Sequence, residues 1–339
     1  MLQFQENISL KPYNTFGIDV KARNFIEIKN DNDFIELLGS DIINKMPLLL
    51  LGGGSNILFT KDFEGLVAHI ANKGIIRVDE NTDTITLEAA AGELWEDLMT
   101  YCVANGYYGL ENLTGVPGQV GSCPIQNIGA YGTEVKDSIL EVKCLDLKNK
   151  QKISLAKKDC RFGYRDSIFK HELKGKVVIT SIVFTLSKKS SYNLTYSGVR
   201  EEVKRISPEG ITLQAVSKAI QNIRERKIPC TKKLGSAGSF FKNPVITKKL
   251  FNQLQQEHPN IVFYKTGEES YKVSAAWLIE QCGWKGYRKV ETGVYEKQPL
   301  ILINYGKASG KDVLELAQEI QKSILSQFNL ELTPEVNIL

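Results

Sequence analysis

Three glycine-rich segments contain the residues whose types and spacing could do chemistry. The first, Gly52-Gly53-Gly54-Ser55-Asn56, directly follows the apolar run 48–51. Glycine permits positive φ and a close approach of the backbone to a ligand, so successive amide N–H groups can surround one anion. The segment indicates either a phosphate or pyrophosphate site or a tight turn. It matches neither the G-x-G-x-x-G fingerprint nor the P-loop.

The second segment runs from Gly109 to Gly132, and six of its 24 residues are glycine. Asn, Gln, Ser and Thr are interleaved with these glycines. A loop of this length needs either packing or a ligand to satisfy its backbone groups. Its exposed amides and small side chains suit a flat, polar, phosphate-bearing cofactor, and the alternative is a long structural loop.

The third segment, residues 235–244, places Ser239 directly after a glycine. No histidine lies nearby in sequence to activate this serine as a nucleophile. A hydroxyl that donates a proton would not need such a base, but from the residues alone a turn serine is favoured.

A fourth segment, Gly306 to Asp312, superficially resembles a P-loop. Three residues instead of four separate its glycines, and Asp312 replaces the Ser or Thr, so a helix N-cap is the better interpretation.

Composition excludes several classes of protein. Lys plus Arg is 43 and Asp plus Glu is 39, so the net charge of +4 is too mild to indicate a nucleic-acid binder. No apolar run approaches the roughly 20 residues of a membrane-spanning helix, and the N-terminus does not read as a secretory signal. The six cysteines and three histidines show no metal-ligand spacing, so we expect free thiols in a reducing cytoplasm and no metal site.

Hydrophobic periodicity predicts the elements that must position these segments. Both helices and strands are expected in the first half, with a hairpin over 139–155, and further helices and a strand follow. The predicted strands are 24–29, 48–51, 82–89, 177–186 and 300–304; the predicted helices lie near 34–38, 92–105, 212–226, 245–258, 275–282 and 313–328.

Five motifs in one order resemble the UDP-N-acetylenolpyruvoylglucosamine reductase family over nearly the whole chain. They are residues 52–56, Pro-Ile-Gln-Asn-Ile-Gly-Ala-Tyr-Gly at 124–132, Phe-Gly-Tyr-Arg-Asp-Ser at 162–167, Gly-Ser-Phe-Phe-Lys-Asn-Pro at 238–244, and Pro334-Glu335. The resemblance implies an α+β fold, with an FAD-binding domain of the vanillyl-alcohol-oxidase type in two subdomains and a C-terminal substrate-binding domain. The implied boundaries are 1–70, 71–214 and 215–328, and the tail 329–339 is expected to pack with the first subdomain.

The resemblance also implies a cofactor, substrates and site residues. FAD is bound non-covalently, NADPH gives hydride to it, and UDP-N-acetylglucosamine enolpyruvate is reduced to UDP-N-acetylmuramate in the cytoplasm, for peptidoglycan synthesis, by a monomer. By position Arg165 and Glu335 stabilise the developing anion and Ser239 protonates the α-carbon. The implied substrate-binding residues are Tyr196, Lys227, Asn243, Tyr264 and Gln298. The implied cofactor-binding residues are Gly52, Gly53, Gly54, Ser55, Asn56, Gly115, Pro117, Gly121, Ser122, Pro124, Gln126, Asn127, Ile128, Gly129, Ala130, Tyr131 and Gly132.

Leu194-Thr195-Tyr196 matches the mobile tyrosine loop of the longer family form, whereas Tyr295 and Ser236 depart from the family pattern. Two alternatives stay open. One is an oxidase of the same fold with covalent flavin, although none of the three histidines lies in a glycine-rich segment. The other is a non-catalytic sugar-nucleotide-binding protein, against which the intact Arg165, Ser239 and Glu335 argue.

Overall fold

The computed structural model describes residues 3–339, which form two compact units. The first unit consists of residues 3–8, 22–53 and 64–225. The second consists of residues 9–21, 54–63 and 226–339, so it combines two short N-terminal segments with the C-terminal third of the chain. The division into three parts near residues 70, 214 and 328 stays a prediction.

The structure contains strands and helices in both units. The strands are β1 (Gln5–Ser9), β2 (Lys21–Ile28), β3 (Leu48–Leu51), β4 (Ile57–Leu58), β5 (Phe63–Ile70), β6 (Ile75–Glu80), β7 (Thr84–Ala90), β8 (Gly129–Ala130), β9 (Thr133–Glu134), β10 (Ile139–Asp146), β11 (Lys152–Ala156), β12 (Val177–Ser187), β13 (Val245–Thr247), β14 (Phe263–Lys265), β15 (Ser270–Val273), β16 (Arg288–Lys289), β17 (Thr292–Val294), β18 (Leu302–Asn304) and β19 (Asn337–Ile338). The helices are α1 (Asp31–Gly39), α2 (Ile42–Lys45), α3 (Trp95–Ala104), α4 (Val199–Ile206), α5 (Leu213–Lys227), α6 (Lys248–Glu257), α7 (Ala275–Gln281) and α8 (Gly310–Phe328).

Two large sheets and the two-stranded sheet β8-β9 lie in the first unit. One large sheet has the order β1-β2-β5-β3, with β3 parallel to β5, and the other is antiparallel with the order β11-β10-β12-β7-β6. In β7 the side chains alternate, so Ile85, Leu87 and Ala89 are buried on one face. Helix α3 contributes Trp95 to the same core, where its ring meets that of Phe184 edge to face at 6.2 Å. Burying side chains of this size stabilises the fold by about 1.5–3 kcal/mol each.

The second unit contains smaller sheets and the longest helix. The sheets have the orders β13-β15-β14 and β16-β17-β18, and β4 pairs with β19 in parallel. Helix α8 begins with a capping box in which Ser309 Oγ accepts a hydrogen bond from Asp312 N, and Asp312 Oδ2 accepts one from Ser309 N. The helix N-cap interpretation of residues 306–312 is therefore confirmed.

Most predicted elements are confirmed, including the strand 48–51, the hairpin β10–β11 and the last helix. The helix predicted near 245–258 is wrong at its start. Val245, Ile246 and Thr247 pair with β15, because residues branched at Cβ favour extended backbone, and α6 begins only at Lys248. Among the helices of residues 3–339, none combines the length and the apolar character that a membrane crossing needs.

Candidate active site

The first glycine-rich segment packs closely against the second within the first unit. A Cβ atom at Gly52 would lie 3.0 Å from Gln119 Oε1, and one at Gly53 would lie 3.2 Å from Gly118 Cα. A side chain at either position would require its neighbour in the second segment to shift by a few tenths of an ångström. Neither the N–H of Gly53 nor that of Gly118 has a hydrogen-bond acceptor within residues 3–339. Two adjacent backbone donors without acceptors fit an anionic group such as the pyrophosphate of FAD.

The segment 115–132, which we call the cofactor loop, is held in place by hydrogen bonds within the loop and to residues outside it. Gly121 N donates to Ala91 O at 2.8 Å, and Ser122 Oγ donates to Gln119 O at 2.7 Å. Asn127 is fully buried, and its Nδ2 donates to Gly163 O at 2.9 Å and to Glu134 Oε2 at 3.1 Å. The side chain of Asn127 therefore holds the loop through protein contacts.

The other predicted cofactor-binding residues lie elsewhere on the cofactor loop or in the second unit. Pro124 O accepts from Asn127 N at 3.3 Å, and Ile128 N donates to Cys123 O at 3.0 Å. Gly129 and Ala130 form strand β8, which turns at Tyr131 and Gly132 into β9. Gly115, Pro117 and Gln126 also lie on the loop, whereas Gly54, Ser55 and Asn56 belong to the second unit.

The cofactor loop also seats Arg165. Arg165 Nη2 donates to Gly129 O at 2.7 Å, and a Cβ atom at Gly129 would lie 3.0 Å from Arg165 Nη1. The Tyr164 ring lies 5.6 Å from the Arg165 guanidinium carbon. The backbone of Arg165 has φ +52°, a left-handed conformation that is uncommon outside glycine and marks a site where the fold dictates geometry. The structure thus joins a predicted catalytic residue to a predicted cofactor-binding residue.

Tyr196 lies beside the end of the cofactor loop. Its ring centroid is 5.0 Å from that of Tyr131, at an interplanar angle of 77°, which is an edge-to-face contact. Tyr196 keeps 39% of its surface exposed.

In the second unit, Ser239 and Glu335 are brought together by antiparallel pairing of two chain segments. Phe241 bridges to Pro334, and Glu335 N donates to Phe240 O at 2.8 Å. The pairing places Glu335 opposite the residue that follows Ser239. Asn56, from the first glycine-rich segment, donates to Glu335 O at 3.2 Å.

The environments of Ser239 and Glu335 differ. Ser239 is exposed and follows Gly238, whose φ is +68°, whereas Glu335 is half-buried. The aromatic rings of Phe240 and Phe241 are buried beneath this pairing, with centroids 5.0 Å apart. The residues that directly follow Ser239 therefore belong to the apolar core of this unit.

The remaining predicted substrate residues are placed separately in the second unit. Asn243 Oδ1 accepts from Ala275 N at 2.9 Å, at the start of α7. Tyr264 lies on β14, where Lys272 Nζ is 5.5 Å from its ring centroid. Lys227 is the last residue of α5, and Gln298 Oε1 accepts from Leu300 N at 3.4 Å. No described hydrogen bond joins these four side chains to one another.

Sequence reasoning missed three polar residues that support the cofactor loop. Gln119 Oε1 is buried without a described partner, next to Gly52. Arg224 Nε donates to Gly115 O at 3.1 Å. Burial lowers the pKa of Arg224, while the charge interaction and the hydrogen bond with Tyr131 oppose that shift. The position of Arg224 four residues after the buried Ile220 could have signalled its place at the edge of the apolar face of α5. Asn112 is the third of these residues, and nothing in its neighbouring sequence indicated its role.

Comparisons with known proteins show the family to which the chain belongs. A family model described as "FAD binding domain" matches residues 22–151, and a model described as "UDP-N-acetylenolpyruvoylglucosamine reductase, C-terminal domain" matches residues 229–339. The UDP-N-acetylenolpyruvoylglucosamine reductase of Chromobacterium violaceum is 43% identical over 339 residues, which covers 100% of this chain and 99% of the relative. This chain belongs to the UDP-N-acetylenolpyruvoylglucosamine reductase family. The family predicted from the sequence is thus confirmed.

Other relatives agree with this membership of the UDP-N-acetylenolpyruvoylglucosamine reductase family. The enzyme of that name from Flavobacterium johnsoniae is 40% identical over 339 residues and covers both chains completely. The crystal structure of the reductase from Thermus caldophilus has a TM-score of 0.69 at 22% identity, covering 100% of this chain and 99% of that one, and it supports the fold. The protein is an FAD-dependent oxidoreductase of cell-wall precursor synthesis, and the α+β fold with FAD-binding and C-terminal family domains is confirmed.

Proposed function

We propose that this chain reduces UDP-N-acetylglucosamine enolpyruvate to UDP-N-acetylmuramate with NADPH, in the cytoplasm, as a step of peptidoglycan precursor synthesis. The names of the relatives support the substrate class. The observation that carries the proposal is the hydrogen bond of 2.7 Å from Arg165 to Gly129 O, because it fixes a permanent cation on the cofactor loop. The proposed assembly is a monomer.

The residues that would hold FAD are those of the first glycine-rich segment and the cofactor loop. The unpaired N–H groups of Gly53 and Gly118 would bind its pyrophosphate. When bound, FAD supplies two-electron transfer from NADPH to the terminal vinyl carbon of the substrate. That transfer leaves negative charge on the α-carbon and the adjoining carboxylate, and the protein must stabilise this charge.

The anion would be stabilised by Arg165 and Glu335, and the proton would come from Ser239. The planar guanidinium of Arg165 is always charged and matches the geometry of a carboxylate. Glu335 would add a hydrogen bond to the same anion. Ser239 Oγ would donate its proton to the α-carbon, forming the new C–H bond, and the exposed position of Ser239 lets water reprotonate the hydroxyl. Removal of one such group typically costs a factor of about 10²–10³ in rate.

Tyr196, Lys227, Asn243, Tyr264 and Gln298 are proposed to bind the sugar nucleotide. Lys227 is exposed and would meet the diphosphate as a point charge, while the exposed rings of Tyr196 and Tyr264 offer flat faces. Gln298 is proposed to lie near the substrate carboxylate.

Anaerobic stopped-flow absorbance tests the proposal. We expect the Ser239→Ala variant to be bleached by NADPH at the parent rate, and then to be reoxidised by the enolpyruvyl substrate about 10²–10³ times more slowly. Ser326→Ala, at an exposed position of α8, is the matched control and should behave as the parent. Equal reoxidation of all three proteins would remove Ser239 from its role. Flavin that stays with the acid-denatured chain would instead favour a covalent oxidase.

A further inference from the structure

Asn112 joins two loops that have separate roles in the proposed function. Its Nδ2 donates to Tyr131 O in the cofactor loop at 2.7 Å and to Asn193 O at 2.9 Å. Asn193 lies three residues before Tyr196 in the segment 190–198, which we call the tyrosine loop. Since both acceptors are carbonyl oxygens, the amide nitrogen must be the atom that faces them.

Asn112 lies in a buried turn that is held by hydrogen bonds. Asn112 is 1% exposed and sits in a 3₁₀ turn, Glu111–Leu113. Trp95 Nε1 donates to Leu113 O at 3.0 Å, and Glu111 Oε2 accepts from Gly109 N at 2.7 Å. The side-chain oxygen of Asn112 has no partner within residues 3–339, so its two donors alone hold the amide.

The two loops also contact each other directly. Asn193 Nδ2 donates to Gly132 O at 2.9 Å, and the Tyr131 and Tyr196 rings meet edge to face. Asn193 Oδ1 in turn accepts from Thr195 Oγ1 at 2.6 Å, which fixes the residue before Tyr196. A displacement of either loop would therefore break a buried hydrogen bond of Asn112 and disturb the ring contact.

We propose that Asn112 is a positioning residue that couples the cofactor loop to the tyrosine loop, so that binding of FAD places Tyr196 for the sugar nucleotide. The role of this coupling in substrate binding rests on the proposed function. Losing a buried hydrogen bond typically costs about one power of ten in an equilibrium. Coupling is reciprocal, so a uridine diphosphate ligand should also tighten the binding of FAD.

Hydrogen exchange of the FAD-loaded protein, followed by mass spectrometry, tests the coupling. In Asn112→Ala we expect the amides of residues 190–198 to exchange about tenfold faster than in the parent. The matched control is Asn72→Ala. Asn72 is also buried, donates to Thr180 O and accepts from Gly92 N, both at 2.9 Å, but forms no described hydrogen bond with either loop. This control should leave residues 190–198 unchanged.

Titration with uridine diphosphate completes the test. Its dissociation constant should rise about tenfold in Asn112→Ala and stay within twofold in Asn72→Ala. If both variants loosen residues 190–198 equally, the coupling role is wrong. If only Asn112→Ala does so while even the parent fails to bind uridine diphosphate, the coupling between loops stands and the proposed function is wrong.

A second substitution at the same position keeps the test valid if Asn112→Ala does not fold. Asn112→Leu fills nearly the same space but has no amide donor, so both hydrogen bonds, to Tyr131 O and to Asn193 O, are lost. It should also accelerate exchange at 190–198 and weaken uridine diphosphate binding, with the flavin still bound. Parent-like exchange and affinity in this variant would overturn the coupling.

Discussion

Gly121 occupies a position where even one methyl group should displace the cofactor loop. A Cβ atom there would lie 2.6 Å from Ala91 Cβ and 3.0 Å from Ala91 O. Carbon atoms in contact prefer about 3.5–4.0 Å, so Gly121→Ala requires a shift of about 1 Å. The Gly121 N to Ala91 O hydrogen bond of 2.8 Å lies at the same point and would be lost or stretched.

The partner of Gly121 has little freedom to move away. Ala91 is 2% exposed, and its N–H donates to Thr180 O at 2.9 Å. The next residue, Gly92, is equally confined, because a Cβ atom there would lie 2.6 Å from Asn72 O. Overpacking of about 1–3 kcal/mol plus about 1 kcal/mol for the hydrogen bond gives about 2–4 kcal/mol of lost stability. For a domain of this size that lowers the Tm by about 5–15 °C.

Differential scanning calorimetry of the FAD-loaded variants measures the effect, and flavin fluorescence reports release of the cofactor. Gly210→Ala is the matched control in the same unit, since an added Cβ there has nothing within 4 Å. It should leave the Tm unchanged or raise it slightly through the unfolded state. If Gly121→Ala melted and retained FAD like Gly210→Ala, the close approach to Ala91 would not constrain the loop, and the reasoning would be refuted.

Two further predictions concern buried titratable groups. Burial raises the pKa of Glu111 above 4.5, so the folded chain holds that proton more tightly and its stability falls as pH rises from about 4.5 through the raised pKa. Glu111→Gln should lack this decline in thermal melts between pH 4 and 8, and a slope equal to that of the parent would contradict the assignment. Burial also raises the pKa of Cys102 to about 12. At pH 8 a thiol reagent should therefore modify the exposed Cys230 first, and Cys102 only after the protein unfolds. Rapid modification of Cys102 in the native protein would contradict this prediction.

Elements that depend on local pattern were predictable. Strand β3 is a short apolar run ended by glycines, and α8 carries both an apolar stripe and a capping box in its own sequence. The hairpin β10–β11 turns where Asp146 Oδ1 accepts from Lys148 N and Asn149 N, which is chemistry of adjacent residues. The start of α6 was the exception: its three Cβ-branched residues 245–247 favour a strand locally, but the helix was predicted to include them.

The sequence by itself determined the family, the FAD-binding class and the segments on which the chemistry depends, because glycine-rich motifs in a fixed order are local and specific. Only the tertiary structure decided that Arg165 donates to Gly129 O and that Ser239 lies beside the segment of Glu335. It also decided that Asn112 joins two loops. Each of these contacts joins residues far apart in the chain, and which distant groups meet is set by packing of the whole fold rather than by any pattern of neighbouring residues.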